Sequence, residues 1–309
     1  GVVGQELIQI LEDRNFPVAS LKLLASERSA GTKLTFKDEM HTVEELKATS
    51  FSDVDVALFS AGGSISKEFV PKAVESGAVA IDNTSYFRMH EDVPLVVPEV
   101  NSHHLDDHKG IIANPNCSTA QMVMALKPIH DAAKIKRIVV STYQAVSGAG
   151  SDAITELENQ VRLNLAGKDV VAKQFTHPIA FNVIPRIDVF MENGYTKEEM
   201  KMVEETKKIL GDPNIQVSAT AVRVPVFVGH SESINIQTEK KLTVDEVKEL
   251  LTKMPGVEVM DDTSNDVYPT PKDLAGRDET FIGRIREDIS QENGIDLWCV
   301  SDNLRKGAA

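Results

Sequence analysis

Residues 54–82 read VDVALFSAGGSISKEFVPKAVESGAVAID. The apolar run 54–60 has the length of a buried strand, 66–76 repeats its apolar residues with helical spacing, and 78–82 is a second short apolar run. Strand, helix and strand in so few residues predict a βαβ unit and hence parallel pairing. Working outward, residues 5–12 have helical spacing through Leu7, Ile8 and Leu11, and 21–25 read as a further buried strand. The first third is therefore expected to be α/β, a doubly wound Rossmann-type parallel sheet whose first strand is missing from the chain as it stands. Beyond residue 117 a helix over 119–132 leads into a long strand over 135–145, and the character changes. Residues 217–228 and 230–238 are longer and alternate in polarity, as antiparallel strands do. Helices over 197–210 and 243–253 flank them, which predicts a second α+β domain on a mostly antiparallel sheet.

Composition narrows the partners. The chain has 309 residues, 41% hydrophobic and 26% charged, which suits two globular domains. A net charge of -14 excludes an electrostatic grip on nucleic acid or an anionic membrane, which needs clustered Lys and Arg. A single Trp offers no base-stacking platform. Two cysteines far apart, Cys117 and Cys299, make neither a disulfide framework nor a zinc pattern, and with no signal peptide or membrane-length apolar run the expected compartment is the cytoplasm.

The chemistry concentrates in Asn114-Pro115-Asn116-Cys117-Ser118-Thr119, where the apolar run Ile111, Ile112, Ala113 gives way to a helix. A thiol at the first turn of a helix meets unpaired amides and the positive end of the dipole, both of which favour the nucleophilic thiolate. Cys299, in Leu297-Trp298-Cys299-Val300, reads as buried packing. The opening Gly1-Val2-Val3-Gly4 has the spacing of the last two glycines of a dinucleotide fingerprint and runs straight into a helix. After the next strand, Arg28 and Ser29 suit a ribose 2'-phosphate, which favours NADP, while Glu27 suits the free hydroxyl of NAD. Ser60-Ala61-Gly62-Gly63-Ser64 is another backbone-rich turn at that edge. His103, His104 and His108 lie in a polar segment without a supporting acid or cysteine cluster, so no metal is expected.

Read together, these segments resemble the aspartate-semialdehyde dehydrogenase family along almost the whole chain. The resemblance rests on residues 58–62 (LFSAG), 82–88 (DNTSYFR), 97–101 (VPEVN), the Asn-Pro-Asn-Cys-Ser-Thr run, 141–150 (STYQAVSGAG), 223–226 (RVPV) followed by 229–233 (GHSES), and 301–304 (SDNL). It implies an NADP-dependent interconversion of L-aspartate 4-semialdehyde plus phosphate with 4-aspartyl phosphate, through a cysteine thioester, serving lysine, diaminopimelate, threonine and methionine synthesis. It also implies a homodimer, with residues 1–116 and about 301–309 binding NADP and 117–300 carrying catalysis and dimerisation.

Roles follow by the same resemblance. Cys117 is the nucleophile, His230 the proton relay, and Gln144 orients the acyl group. Arg223, which can fork two hydrogen bonds to a carboxylate, and Glu198, which can accept from an ammonium, hold the amino-acid end. Arg88, Asn116 and Lys201 take phosphate. Gly1, Val2, Val3, Gly4, Arg28, Ser29, Ser60, Gly62, Ser147 and Gly148 take the cofactor. The family pattern would add a strand and glycine turn before Gly1 and a helix after Ala309, without which cofactor binding is expected to be weak. It would also have a longer stretch over 162–178 and a glutamine at the place of Arg186. Two other classes stay open: an N-acetylglutamyl-phosphate reductase, whose motif is Asn-Pro-Gly-Cys and whose acetylated substrate needs no acid at Glu198, and a non-catalytic cofactor-binding protein.

Overall fold

The computed structural model describes residues 1–309, which divide into two compact units. The first comprises 1–96, 103–115 and Ala309, the second 97–102 and 116–308.

In the first unit, α1 (Val2–Asp13) precedes β1 (Leu24–Ala25), a hairpin of β2 (Lys33–Phe36) and β3 (Glu39–Thr42), and β4 (Glu44–Glu45), which pairs parallel with β1. The strand expected over 21–25 is thus only two residues long. β5 (Val56–Phe59), α2 (Gly63–Glu75), β6 (Val79–Asp82) and β7 (Ile111–Ala113) form the parallel sheet β5-β6-β7 foreseen from residues 54–82. α2 begins earlier than its apolar spacing announces, because Gly62 at φ 98° turns the chain sharply enough to start the helix at Gly63. Val70 and Ala73, both fully buried, are its inward residues. Gly110 marks the closest approach here, since a Cβ would lie 2.6 Å from Val74 Cγ1. The hairpin escaped the sequence reading because its tip is Lys37-Asp38, both at positive φ (47° and 62°), rather than the Asn-Gly that usually announces such a turn.

The second unit contains α3 (Pro98–Asn101), α4 (Cys117–Ala133), β8 (Ile135–Gln144), α5 (Ser151–Leu165), α6 (Lys197–Leu210), β9 (Gln216–Arg223), β10 (His230–Thr238), α7 (Val244–Thr252), β11 (Val257–Val259), α8 (Pro271–Leu274), β12 (Thr280–Glu287) and β13 (Gly294–Ser301). Its six-stranded sheet has the order β11-β12-β13-β10-β8-β9. The inner pairs are antiparallel, and the pairs at both ends, β11/β12 and β8/β9, are parallel. Two expectations change. The alternating runs over 217–228 and 230–238 do not pair with each other, because β8 lies between them, and β9 stops at Arg223, two residues before Pro225, which has no amide to extend a ladder.

One core holds this unit together. Met122, Leu126 and Ile129 of α4 and Met202 of α6 pack on Ile138, Val140, Ile234, Ile236 and Leu297 of the sheet. α4 is buried almost all round, which explains why its amphipathic signal is weak in sequence. α5, whose Ala153 and Leu157 cluster with Ile179 and Ile184, was not foreseen.

Candidate active site

Cys117 is the first residue of α4, half-buried, and its N-cap is Asn116. Asn116 Oδ1 accepts from the amides of Ser118 at 3.0 Å and Thr119 at 3.4 Å, leaving Nδ2 to donate to Glu198 Oε1 at 2.8 Å. The Asn116 amide donates to Glu205 Oε2 at 2.7 Å. The cap of the cysteine helix is therefore tied at two points to α6, whose own start is set by a capping box between Thr196 and Glu199.

Glu198 is the hub. Besides Asn116 it receives Gln144 Nε2 at 3.3 Å and Lys201 Nζ at 3.0 Å. Burial alone would push its carboxyl up, but the Lys201 charge, the Asn116 bond and Arg223 outweigh that and hold it below its ordinary value. Lys201 is in turn raised: burial works against its charge, and Glu198 and Asp188, each 3.0 Å away, overcome it. Gln144, the last residue of β8, is buried and also donates to Thr142 Oγ1.

Arg223 ends β9 beside Gln144 in register, buried, with Nη1 donating to Ala145 O at 2.6 Å. Burial lowers its affinity for a proton, while the charges of Glu198 and Cys117 oppose that. His230 opens β10 and is fully buried. Its Nδ1 accepts from the Ala145 amide at 3.0 Å, and its Nε2 has no partner within the protein. Burial first, then the Arg223 charge, hold the imidazole well below its ordinary value, with the Gly229 carbonyl acting the other way. A Cβ on Gly148 would lie 3.1 Å from Arg223 Nη1 and 3.3 Å from His230 Nε2, so the bare Gly148 leaves room over both. Ser147 is bonded through its hydroxyl to Asn303, whose Oδ1 also accepts from the Gly229 amide. At Gly307 a Cβ would collide with that of Cys117, so this turn of Asn303–Ala308 lies directly on the cysteine.

Cys117, Asn116, Gln144, Glu198, Lys201, Arg223, His230, Ser147 and Gly148 thus all belong to the second unit, the first seven linked by bonds or charge interactions. Arg88 belongs to the first unit, buried at the carboxyl edge of its parallel sheet, where Nε donates to Asn114 O and Nη2 to Asn83 O, each at 2.8 Å. Gly1 and Gly62 are the N-caps of α1 and α2, Val2, Val3 and Gly4 lie in the first turn of α1, Ser60 follows β5, and Arg28 and Ser29 sit in a short 3-10 turn after β1.

Both halves of the chain match family profiles: residues 1–108 the semialdehyde dehydrogenase NAD binding domain, and 126–306 the semialdehyde dehydrogenase dimerisation domain. The chain is 58% identical to the aspartate-semialdehyde dehydrogenase of Aquifex aeolicus and 53% to that of Bacillus subtilis, covering 100% of this chain and 92% of each relative. It belongs to the aspartate-semialdehyde dehydrogenase family. Among solved structures of that family, the Vibrio cholerae enzyme II superposes with a TM-score of 0.97 at 49% identity over 99% of this chain and 92% of that one. That enzyme has also been solved in complex with ASA, and the Candida albicans enzyme, 27% identical with a TM-score of 0.77 over 100% of this chain and 92% of its own, with NADP. The enzyme therefore has an NAD(P)-binding domain of Rossmann type and a dimerisation domain with a mixed sheet. No helix in it is long and apolar enough to cross a membrane.

Four participants were not picked out from sequence. Asp188 shares Lys201 with Glu198; Asn303 joins Ser147 to Gly229; Gly307 covers Cys117; and Glu205 anchors the Asn116 amide. Glu205 left a signal in its seven-residue spacing from Glu198, which places both acids on one face of α6, and Asn303 stood in the 301–304 landmark with no role read for it.

Proposed function

We propose that this enzyme interconverts L-aspartate 4-semialdehyde plus phosphate with 4-aspartyl phosphate, using NADP, through a thioester on Cys117. It would do so as a cytoplasmic homodimer supplying lysine, diaminopimelate, threonine and methionine synthesis. One observation carries the reading: Arg223 Nη1 and His230 Nε2 border the same gap over Gly148, with Gln144 paired to Arg223 in register and Glu198 and Cys117 within range of its charge, so one guanidinium that can hold a carboxylate lies by imidazole, amide, acid and thiol.

The helix terminus and Arg223 favour the Cys117 thiolate, which adds to the aldehyde carbon and moves a pair of electrons onto oxygen. With Nδ1 accepting from Ala145, the neutral His230 ring keeps its proton on Nε2 and presents it to that oxygen. When bound, the nicotinamide supplies the two-electron acceptor for oxidation of the hemithioacetal to the thioester. A phosphate oxygen, for which Asn116 and Lys201 are the proposed ligands of the second unit and to which Arg88 is assigned by the family resemblance alone, then attacks the acyl carbon, the carbon–sulfur bond breaks, and the thiolate leaves. Arg223 forks the substrate carboxylate, Glu198 accepts from its ammonium, and Gln144 orients the acyl oxygen.

The first unit fits a dinucleotide. α2 starts after Gly62 with no side-chain cap and no acid in the first turn, and nothing fills the space over that glycine. Such uncapped amides suit a pyrophosphate. Gly1, Val2, Val3, Gly4, Ser60 and Gly62 would hold it, Arg28 and Ser29 the 2'-phosphate, and Ser147 and Gly148 the nicotinamide end. Residues 1–116 with about 301–309 would serve the cofactor, and 117–300 the chemistry and the dimer. A low-lying Glu198 favours a free ammonium over an acetylated nitrogen, which separates this reading from an N-acetylglutamyl-phosphate reductase.

The test is phosphate-dependent NADP reduction with L-aspartate 4-semialdehyde. Cys117→Ser should lose at least about 10³-fold in turnover, as removal of a nucleophile does; equal rates in the two proteins would remove Cys117 from the reaction.

A further inference from the structure

The helix-facing side of the six-stranded sheet changes from hydrocarbon to polar along its length. In one rung Val140 of β8, Ile234 of β10 and Leu297 of β13 lie side by side. The next rung toward the active site holds Thr142, Glu232 and Cys299, and the last holds Gln144, His230 and Ser301, with Arg223 beyond Gln144. Glu232 therefore stands between the hydrocarbon core and the active-site rung, one rung from His230 on the same strand.

Its surroundings are unusual for a carboxyl. Glu232 is fully buried, and neither side-chain oxygen has a hydrogen-bond partner of good geometry. Facing it from α4 is the side chain of Gln121, whose Nε2 is likewise buried and unpartnered. Gln121 lies one helical turn beyond Cys117 on the same face of α4. Its other end is held: Ser301 Oγ donates to Gln121 Oε1 at 2.6 Å, and Cys299 Sγ to the Gln121 carbonyl at 3.7 Å. Two orphaned polar groups thus face each other across the junction between the cysteine helix and the histidine strand.

We propose that Glu232 is a positioning residue of the reaction: paired with Gln121, it fixes the turn of α4 that carries Cys117 against the strand that carries His230. The proposal rests on the thioester reading above. A buried carboxyl costs stability that an apolar side chain of similar size does not, so packing alone gives no reason for an acid here. What the acid supplies is direction: a hydrogen bond to Gln121 exists at one register of helix on strand, whereas hydrocarbon contact tolerates sliding. Burial pushes the carboxyl well above its ordinary value, with Gln121 opposing, which favours the neutral acid facing Gln121. The titratable groups facing it are Cys299 from β13 and His230 one rung along β10; Gln121 from α4 and Thr142 from β8 carry no charge. Burial pushes the Cys299 thiol well up, and Glu232 adds to that, while His230 is held low.

The test compares Glu232→Gln and Glu232→Leu in the full chain, by thermal melting, steady-state kinetics and the rate at which iodoacetamide alkylates Cys117. Glu232→Leu should fold but lose about 10²-fold in kcat with KM within about threefold, the scale of a 1 Å misplacement. Glu232→Gln, neutral and of the same shape, should restore kcat and the alkylation rate. Gln121→Met cuts the same link from the helix side, keeps the proposal testable if Glu232→Leu does not fold, and should add nothing to Glu232→Leu when combined. Wild-type kcat in Glu232→Leu or Gln121→Met, a Glu232→Gln variant as impaired as Glu232→Leu, or additive losses would each overturn it. Alkylation reads the sulfur without turnover, so failure of this link is distinguishable from failure of the thioester reading, which shows as activity in Cys117→Ser.

Discussion

Asn116 Nδ2 donates to Glu198 Oε1 at 2.8 Å, while Asn116 Oδ1 caps the helix that Cys117 begins. One amide side chain thus does two jobs that a carboxylate cannot combine, because only an amide offers an acceptor to the helix and a donor to the acid. As a cap alone, aspartate equals asparagine, whereas alanine costs about 1 kcal/mol. Asn116→Asp should therefore melt no earlier than Asn116→Ala if the cap dominates, yet lose more kcat, since it places a second negative charge beside Glu198 and Cys117. Melting temperature, kcat and the pH dependence of Cys117 alkylation check this; better turnover in Asn116→Asp than in Asn116→Ala would sink it.

Gly148 gives a test of the space between Arg223 and His230. Its φ is not in the left-handed region, so alanine is tolerated by the backbone, but the added methyl would press on both groups at 3.1–3.3 Å. Gly148→Ala should keep its fold and bind substrate worse, with kcat/KM down about 10-fold or more on the scale of 1–3 kcal/mol for overpacking. Unchanged kinetics would show that no part of the substrate uses this gap.

Lys201 sets the charge of Glu198. Because Lys201 helps hold the Glu198 carboxyl below its ordinary value, Lys201→Met removes that support and the carboxyl rises. Glu198 must be ionised to accept from an ammonium, so the acid limb of the kcat/KM profile should move to higher pH. The position of the limb is the readout rather than the overall rate, which on the proposed roles also loses a phosphate contact. A limb that stays put would detach Glu198 from substrate binding.

Glu232 and stability are linked in the opposite sense. Its folded-state value is raised, so the unfolded chain releases this proton at lower pH than the fold does. The stability it allows is complete below the ordinary carboxylate value and falls as pH rises. Glu232→Gln has no proton to hold, so its melting temperature should gain on wild type as pH rises from the ordinary carboxylate value, over the interval in which the folded and unfolded chains differ in proton binding. A constant difference across that interval would mean that Glu232 is ionised in the fold.

Much of this was readable from local pattern. The parallel strand and helix of residues 54–82, the cysteine at a helix start, and the landmarks around Gln144, Arg223 and His230 depend on neighbours in sequence, so spacing exposes them. Family motifs in order did the rest for the assignment of the family. What escaped depended on non-local pairing: that β8 separates β9 from β10, that β9 runs parallel to β8, that a Lys37-Asp38 tip closes a hairpin, and that α5 exists.

The amino-acid sequence by itself determined the kind of chemistry: a thiol at the positive end of a helix, an imidazole, a guanidinium, and glycines at helix starts. Their types and local settings are encoded within a few residues of each. The tertiary structure alone decided what those groups are in practice. Glu198 is held in its ionised form although buried because Lys201, Asn116 and Arg223 converge on it, His230 is held neutral because it is sealed beside Arg223, and Glu232 meets Gln121 because α4 packs over the rung that pairs Glu232 with Cys299. Protonation and position depend on which charges lie within a few ångströms and how much water is excluded, and those are properties of the packed chain.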